Sequence, residues 1–114
     1  MNRGDIYFVD LGPIPGNRKE QAGTRPAIAI SLGSMDPKNP MVIVIPLTSN
    51  LKSENLPYSL LIKTSQGNNL QTDSVALISQ LGALDKRMVK NRVGHLDGHD
   101  MGEIERILKD LLRL

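Results

Sequence analysis

The stretch RPAIAISLGSMDPKNPMVIVIPL, Arg25 to Leu47, decides how this chain folds. It holds two apolar runs, Arg25 to Ser31 and Met41 to Leu47, each of strand length and rich in the β-branched residues that pack well on a pleated surface. Gly33 to Pro40 between them has the glycine, asparagine and prolines of a turn. That is too short for a crossover helix, so the two runs predict an antiparallel pair. Pro46 cannot donate to a ladder, and late in the second run it predicts an edge or a bulge.

The same spacing continues outward. Asp5 to Leu11 (DIYFVDL) predicts a first strand, and Gly12 to Thr24 a loop of glycine, proline and mixed charge. Tyr58 to Lys63 predicts a fourth strand. Asp73 to Leu84 predicts a fifth, longer one, bent at Gly82. Asp85 to Lys90 reads as one helical turn and Asn91 to Leu96 as a last short strand. Met101, Ile104, Ile107, Leu108, Leu111 and Leu112 recur at helical spacing, with Asp100 and Glu103 placed as a capping box. The expected architecture is mainly β with a C-terminal helix: one domain over residues 1–114, as a small barrel or a curled antiparallel sheet closed by the helix.

Composition narrows the function classes. The 114 residues contain no cysteine, which excludes disulfides and thiolate metal sites. No segment approaches the roughly 20 apolar residues of a membrane span, and no apolar run of signal-peptide length follows Met1, so a soluble, cytoplasmic protein is expected. Fourteen basic against 12 acidic residues give a net charge of +2, a mild bias toward a polyanionic partner. Tyr7, Phe8 and Tyr58 are the only aromatics, so nucleic acid would be gripped by hydrogen bonds and phosphate contacts more than by stacking.

Three groups of residues are candidates for chemistry. Arg25 precedes Pro26, which keeps its backbone extended and mounts a permanently charged fork of five donors at a strand entrance. The alternative is a surface arginine paired with Glu20 or Asp10. Thr48-Ser49-Asn50 puts small polar groups at the end of the Met41 strand, beside Arg25 if the two strands pair; the alternative is a loop that bonds to itself. His95-Leu96-Asp97-Gly98-His99 has the alternation of a metal site, but Gly98 breaks the strand and no fourth ligand follows, so an ordinary turn is preferred.

Together these residues resemble a known family. Arg3-Gly4-Asp5-Ile6-Tyr7-Phe8-Val9-Asp10-Leu11, then Gly16, Glu20-Gln21, Gly23 and Arg25-Pro26, are similar to the N-terminal signature of the MazF/PemK toxins. The likeness continues at Ile45-Pro46-Leu47-Thr48, Asp73-Ser74-Val75-Ala76, Gln80-Leu81 and Leu84-Asp85-Lys86-Arg87. It implies an SH3-like barrel with a C-terminal helix, homodimeric, active as a sequence-specific, ribosome- and metal-independent endoribonuclease without a cofactor. It further implies an antitoxin of the MazE kind, whose extended tail fills the RNA groove, and single-stranded mRNA as substrate. Many relatives have an arginine two residues after the glutamine, where this chain has Gly82.

By that resemblance Arg25 and Thr48 match the catalytic positions, and Glu20 matches an acidic residue implicated in some members. Arg18, Lys19, Gln21, Thr24, Ser49, Asn50, Gln80, Lys86 and Arg87 are the expected RNA contacts. The implied reaction is attack of the ribose 2′-OH on its phosphate, giving a 2′,3′-cyclic phosphate and a 5′-OH. Arg25 suits the charge of the phosphorane but not the role of base, since a guanidinium stays charged and has no lone pair to accept a proton. Glu20 is the candidate base, with His95 and His99 as alternatives. A CcdB-like gyrase poison and a non-catalytic nucleic-acid-binding barrel are the rival readings; Leu112-Arg113-Leu114 lacks the aromatic end often found in such poisons.

Overall fold

The computed structural model describes residues 2–10, 24–30 and 38–114. Within them seven strands precede one helix: β1 (Asp5–Asp10), β2 (Thr24–Ala29), β3 (Met41–Thr48), β4 (Ser59–Ile62), β5 (Ser74–Leu77), β6 (Gly82–Asp85), β7 (Val89–His95) and α1 (Gly98–Leu112). All pairings are antiparallel, in the order β4-β5-β3-β2-β1-β7, with β6 also against β3. The outer strands β4 and β7 do not pair in that order, so the expected barrel is a curled, open sheet. Among the described residues no helix is long and apolar enough to cross a membrane.

The decisive pair forms as its pattern predicts. Ala27 faces Pro46, Ile28 faces Ile45 and Ala29 faces Val44, and the Ile30 N–H donates to the Ile43 carbonyl at 2.9 Å. β3 is almost continuously apolar because both of its faces are covered. Ile45 and Leu47 join Ile6, Ile28, Ile62, Ile78 and Leu96 in the main core, which Ile104 and Leu108 of α1 complete. Val42 and Val44 point the other way, into a smaller core with Val9 and Ala27. Burying side chains of this size is worth about 1.5–3 kcal/mol each, which makes the register expensive to change.

Three expectations are corrected. Pro46 marks neither an edge nor a bulge: β3 is internal, with β2 on one side and β6 then β5 on the other. β6 pairs only as far as Val44 and β5 begins at Leu47, so the proline sits in the gap between two partners. The single long strand expected over residues 73–84 is two strands, β5 and β6, separated by a 3-10 turn at Ile78–Gln80 that buries Ile78. The helix starts earlier than its apolar stripe: Asp97 caps it by accepting the Asp100 N–H at 2.8 Å, in place of a box at Asp100 and Glu103. Of the stripe, Leu112 alone is half exposed. The loop expected before Thr24 and most of the turn before Pro40 lie outside the described residues.

Candidate active site

Residues from five strands and one loop surround a cleft of about 530 Å³. Thr24, Arg25 and Pro26 open β2; Leu47 and Thr48 close β3, followed by Ser49; Phe8 comes from β1 and residues 91–93 from β7. Residues 69–72 and Ser74 form the far wall. Among the described residues that line it, there is no carboxylate and no imidazole; Arg25 and Arg92 are the cations.

Strand register explains why Arg25 and Thr48 meet. The β2–β3 ladder ends at Ala27 and Pro46; Arg25 and Thr48 stand two residues further along their strands and by alternation belong to the same face. On its other side Arg25 is opposite Val9 of β1, and Arg92 of β7 is opposite Tyr7, two residues back along the same strand. Alternation therefore puts Arg92, Arg25 and Thr48 on a common face across β7, β1, β2 and β3. Phe8, Pro26 and Leu47 alternate to the other face, so the cleft wraps around the strand ends and has one polar and one apolar side.

The Thr48 hydroxyl is partly committed. Its Oγ1 accepts the Asn50 N–H at 3.2 Å, and Asn50 Oδ1 in turn accepts the Lys52 N–H at 3.2 Å, capping a 3-10 turn at Leu51–Asn55. The self-bonding loop of the alternative reading is therefore present; a hydroxyl that spends a lone pair on the backbone still retains its proton to donate.

The far wall is stapled rather than loose. Asn68 is 1% exposed; its Oδ1 accepts the N–H groups of Ser65 and Leu70 and its Nδ2 donates to the Lys63 carbonyl at 2.9 Å. Asn69 adopts a left-handed backbone (φ 55°) and donates from Nδ2 to the Val93 carbonyl. β7 comes so close that the His95 N–H donates to the Gly67 carbonyl at 3.0 Å. A Cβ on Gly94 would fall 2.4 Å from the Asn68 carbonyl oxygen, so only glycine fits this crossing.

Arg92 is anchored at the cleft edge. One of its terminal nitrogens lies 3.3 Å from Asp5 Oδ1, which also meets His95 Nδ1 at 2.7 Å, while Oδ2 accepts the Asn2 N–H at 2.8 Å. Burial opposes the Asp5 charge, but the bonds from Asn2, His95 and Arg92 outweigh it and hold the carboxyl below the ordinary aspartate range. Burial pushes the neighbouring Tyr7 hydroxyl up, with the Asp5 charge adding to it.

Of the residues expected from sequence, Thr24, Arg25, Thr48 and Ser49 come together in the cleft. Asn50 sits just beyond it as a cap. Gln80, Lys86 and Arg87 lie outside it, on the 3-10 turns that flank β6, where Arg87 pairs with Asp85 at 2.9 Å. Arg18, Lys19, Glu20 and Gln21 lie outside the described residues. Gly82 is paired with Val44 and is not among the described residues that line the cleft. His95 is held by Asp5, Asp97 caps α1 and His99 is exposed in its first turn, so the H-x-D-x-H residues do not converge. Among the described residues no three such side chains are grouped for a metal. Sequence reading missed Phe8, Arg92 and the wall at 69–72. Only the last had a local signal, the turn-forming Gly67-Asn68-Asn69.

Comparison with known proteins fits this geometry. The chain is 32% identical over 114 residues to Endoribonuclease EndoA of Bacillus subtilis, covering all of this chain and 96% of that protein. It is 35% identical over 104 residues to Endoribonuclease MazF of Staphylococcus saprophyticus, covering 91% and 84%. The fold is that of a MazE-MazF crystal structure from Deinococcus radiodurans, with a TM-score of 0.74 at 20% identity over the whole of this chain and 96% of that one. Residues 2–112 match the family described as "PemK-like, MazF-like toxin of type II toxin-antitoxin system", and the chain belongs to it.

Proposed function

We propose that this protein is the toxin of a type II toxin–antitoxin pair and cuts single-stranded RNA at specific sequences without a metal, a cofactor or the ribosome. The observation that carries the reading is Arg25 and Thr48 lining one cleft from facing strand ends. In the proposed step the ribose 2′ oxygen bonds to the adjacent phosphorus, its proton passes to a base, and the bond to the 5′ oxygen breaks. A 2′,3′-cyclic phosphate and a 5′-OH result. Arg25 neutralises the charge on the phosphorane and Thr48 donates to a phosphoryl oxygen. The base we assign is Glu20, on the likeness to the family's acidic position. The partners we assign are single-stranded mRNA, a MazE-like antitoxin and a second copy of the chain, in the bacterial cytoplasm. The antitoxin assignment draws on the likeness to the MazE-MazF structure.

The test is incubation with a weakly structured RNA in EDTA, beside Arg25→Ala. Discrete cuts ending in cyclic phosphate are expected. Loss of Arg25 lowers the rate at least about 100-fold, on the order of 3 kcal/mol, with the fold intact. Intact RNA at enzyme excess, or equal cutting by the variant, would overturn the reading; a gyrase supercoiling assay would then test the poison alternative.

A further inference from the structure

We infer that Arg92 is a second phosphate-binding residue of the cleft, one that grips the RNA backbone beside the phosphate held by Arg25. The inference rests on the endoribonuclease reading for the identity of the polyanion. Its physical basis is separate. Arg92 and Arg25 flank β1 on opposite sides, at Tyr7 and Val9, and share a sheet face and a cleft with Thr48. Two strand spacings sideways and two residues along put their Cα atoms about 12 Å apart. Two side chains as long as arginine can reach neighbouring phosphates of one extended strand across that span.

The ion pair with Asp5 does not use up the guanidinium. The contact is a single one at 3.3 Å, leaving most of five donors available. The Asp5 side chain is 4% exposed, whereas that of Arg92 is 53% exposed. The carboxylate charge is also shared with the Asn2 N–H and His95. The pair therefore presents its positive end to the cleft, and the buried carboxylate fixes where that end lies. A planar fork held in this way loses little freedom on meeting a phosphate.

The measurement is fluorescence anisotropy with a labelled, fully 2′-O-methylated mixed-sequence 20-mer, which binds without being cut, across 50 to 300 mM KCl. Arg92→Gln should weaken binding about tenfold and reduce the slope of log affinity against log salt by about 0.7, the loss of one single-strand phosphate contact. Arg106→Gln, on the exposed face of α1 and paired with Glu103, is the control for net charge and should change the slope little. A folded Arg92→Gln protein with unchanged affinity and slope overturns the inference. Should that variant not fold, the Nε–H resonance of Arg92 in the unaltered protein serves: a shift on saturation with the 20-mer supports the contact, and no shift overturns it. If the unaltered protein binds the 20-mer with an Arg92-dependent slope yet cuts no RNA, the nuclease reading fails and Arg92 stands. If it does not bind the 20-mer at all, the inference fails, and the cleavage assay decides the nuclease reading separately.

Discussion

Replacing Gly94 by alanine adds one carbon where β7 crosses the far wall of the cleft. That Cβ would lie 2.4 Å from the Asn68 carbonyl oxygen, 2.6 Å from its carbon and 2.7 Å from the Gly67 carbonyl oxygen. All three are backbone atoms, so no side chain can swing aside. Reaching van der Waals contact requires the two segments to part by about 1 Å. The hydrogen bond from the His95 N–H to the Gly67 carbonyl, 3.0 Å long, spans the same gap and would be lost with the parting. Overpacking costs about 1–3 kcal/mol and a lost backbone bond about 1 kcal/mol, so a loss of about 3 kcal/mol is expected. For a domain of this size that lowers Tm by about 12 °C. Thermal unfolding followed by circular dichroism measures it, with Gly102→Ala as the control. Gly102 lies within α1 with open space around it, and alanine there should stabilise by about 0.5–1 kcal/mol. A Gly94→Ala protein melting within about 3 °C of the original would refute the argument that this crossing is rigid.

Phe8 is 38% exposed, on the apolar side of the cleft. Phe8→Ala should weaken RNA binding by about 1–3 kcal/mol if a base stacks there, read by anisotropy with a non-cleavable oligonucleotide; unchanged affinity would remove Phe8 from the RNA path. Thr48→Val deletes the hydroxyl and should cut kcat steeply, while Thr48→Ser keeps most of it; equal rates for the two would deny the hydroxyl a role. Asp5 gives a pH signature. Its folded pKa lies below the ordinary value of about 3.9, so its stabilisation is present above that value and is lost as pH falls through the folded one. Asp5→Asn should therefore be less stable than the original at pH 7, by about 1–3 kcal/mol, with the gap closing in acid. Urea titrations at several pH values would show a constant gap if the charge were irrelevant.

The parts of the fold that were legible in sequence are those set by local pattern. The β2 and β3 runs state their extent by their unbroken apolar character, and the α1 stripe states its period, which burial then follows. The errors fall where apolar character continues through a change of geometry. Asp73 to Leu84 reads as one strand, yet a 3-10 turn at Ile78–Gln80 divides it and buries Ile78. Asp97 and Asp100 are both plausible caps by type, and only the path of the backbone selects Asp97. Arg25 stood out because its proline neighbour makes its stiffness visible. Arg92 did not, since its position beside the cleft arises from β7 docking on β1, more than 80 residues earlier in the chain. No local spacing encodes that pairing.

β3 is clamped between two cores, and the strand that fills them also carries Thr48 to the cleft that Arg25 lines from β2. Burial and the placing of these cleft residues thus share one alignment. In genetic terms, a shift of β3 against β2 cannot silence this protein while leaving it folded. A slip that parts the two residues also turns the core inside out, so such protein is cleared rather than retained. Alleles that are inactive yet folded, and still able to occupy a partner, should cluster at the strand tips, at Arg25, Pro26 and residues 48–50.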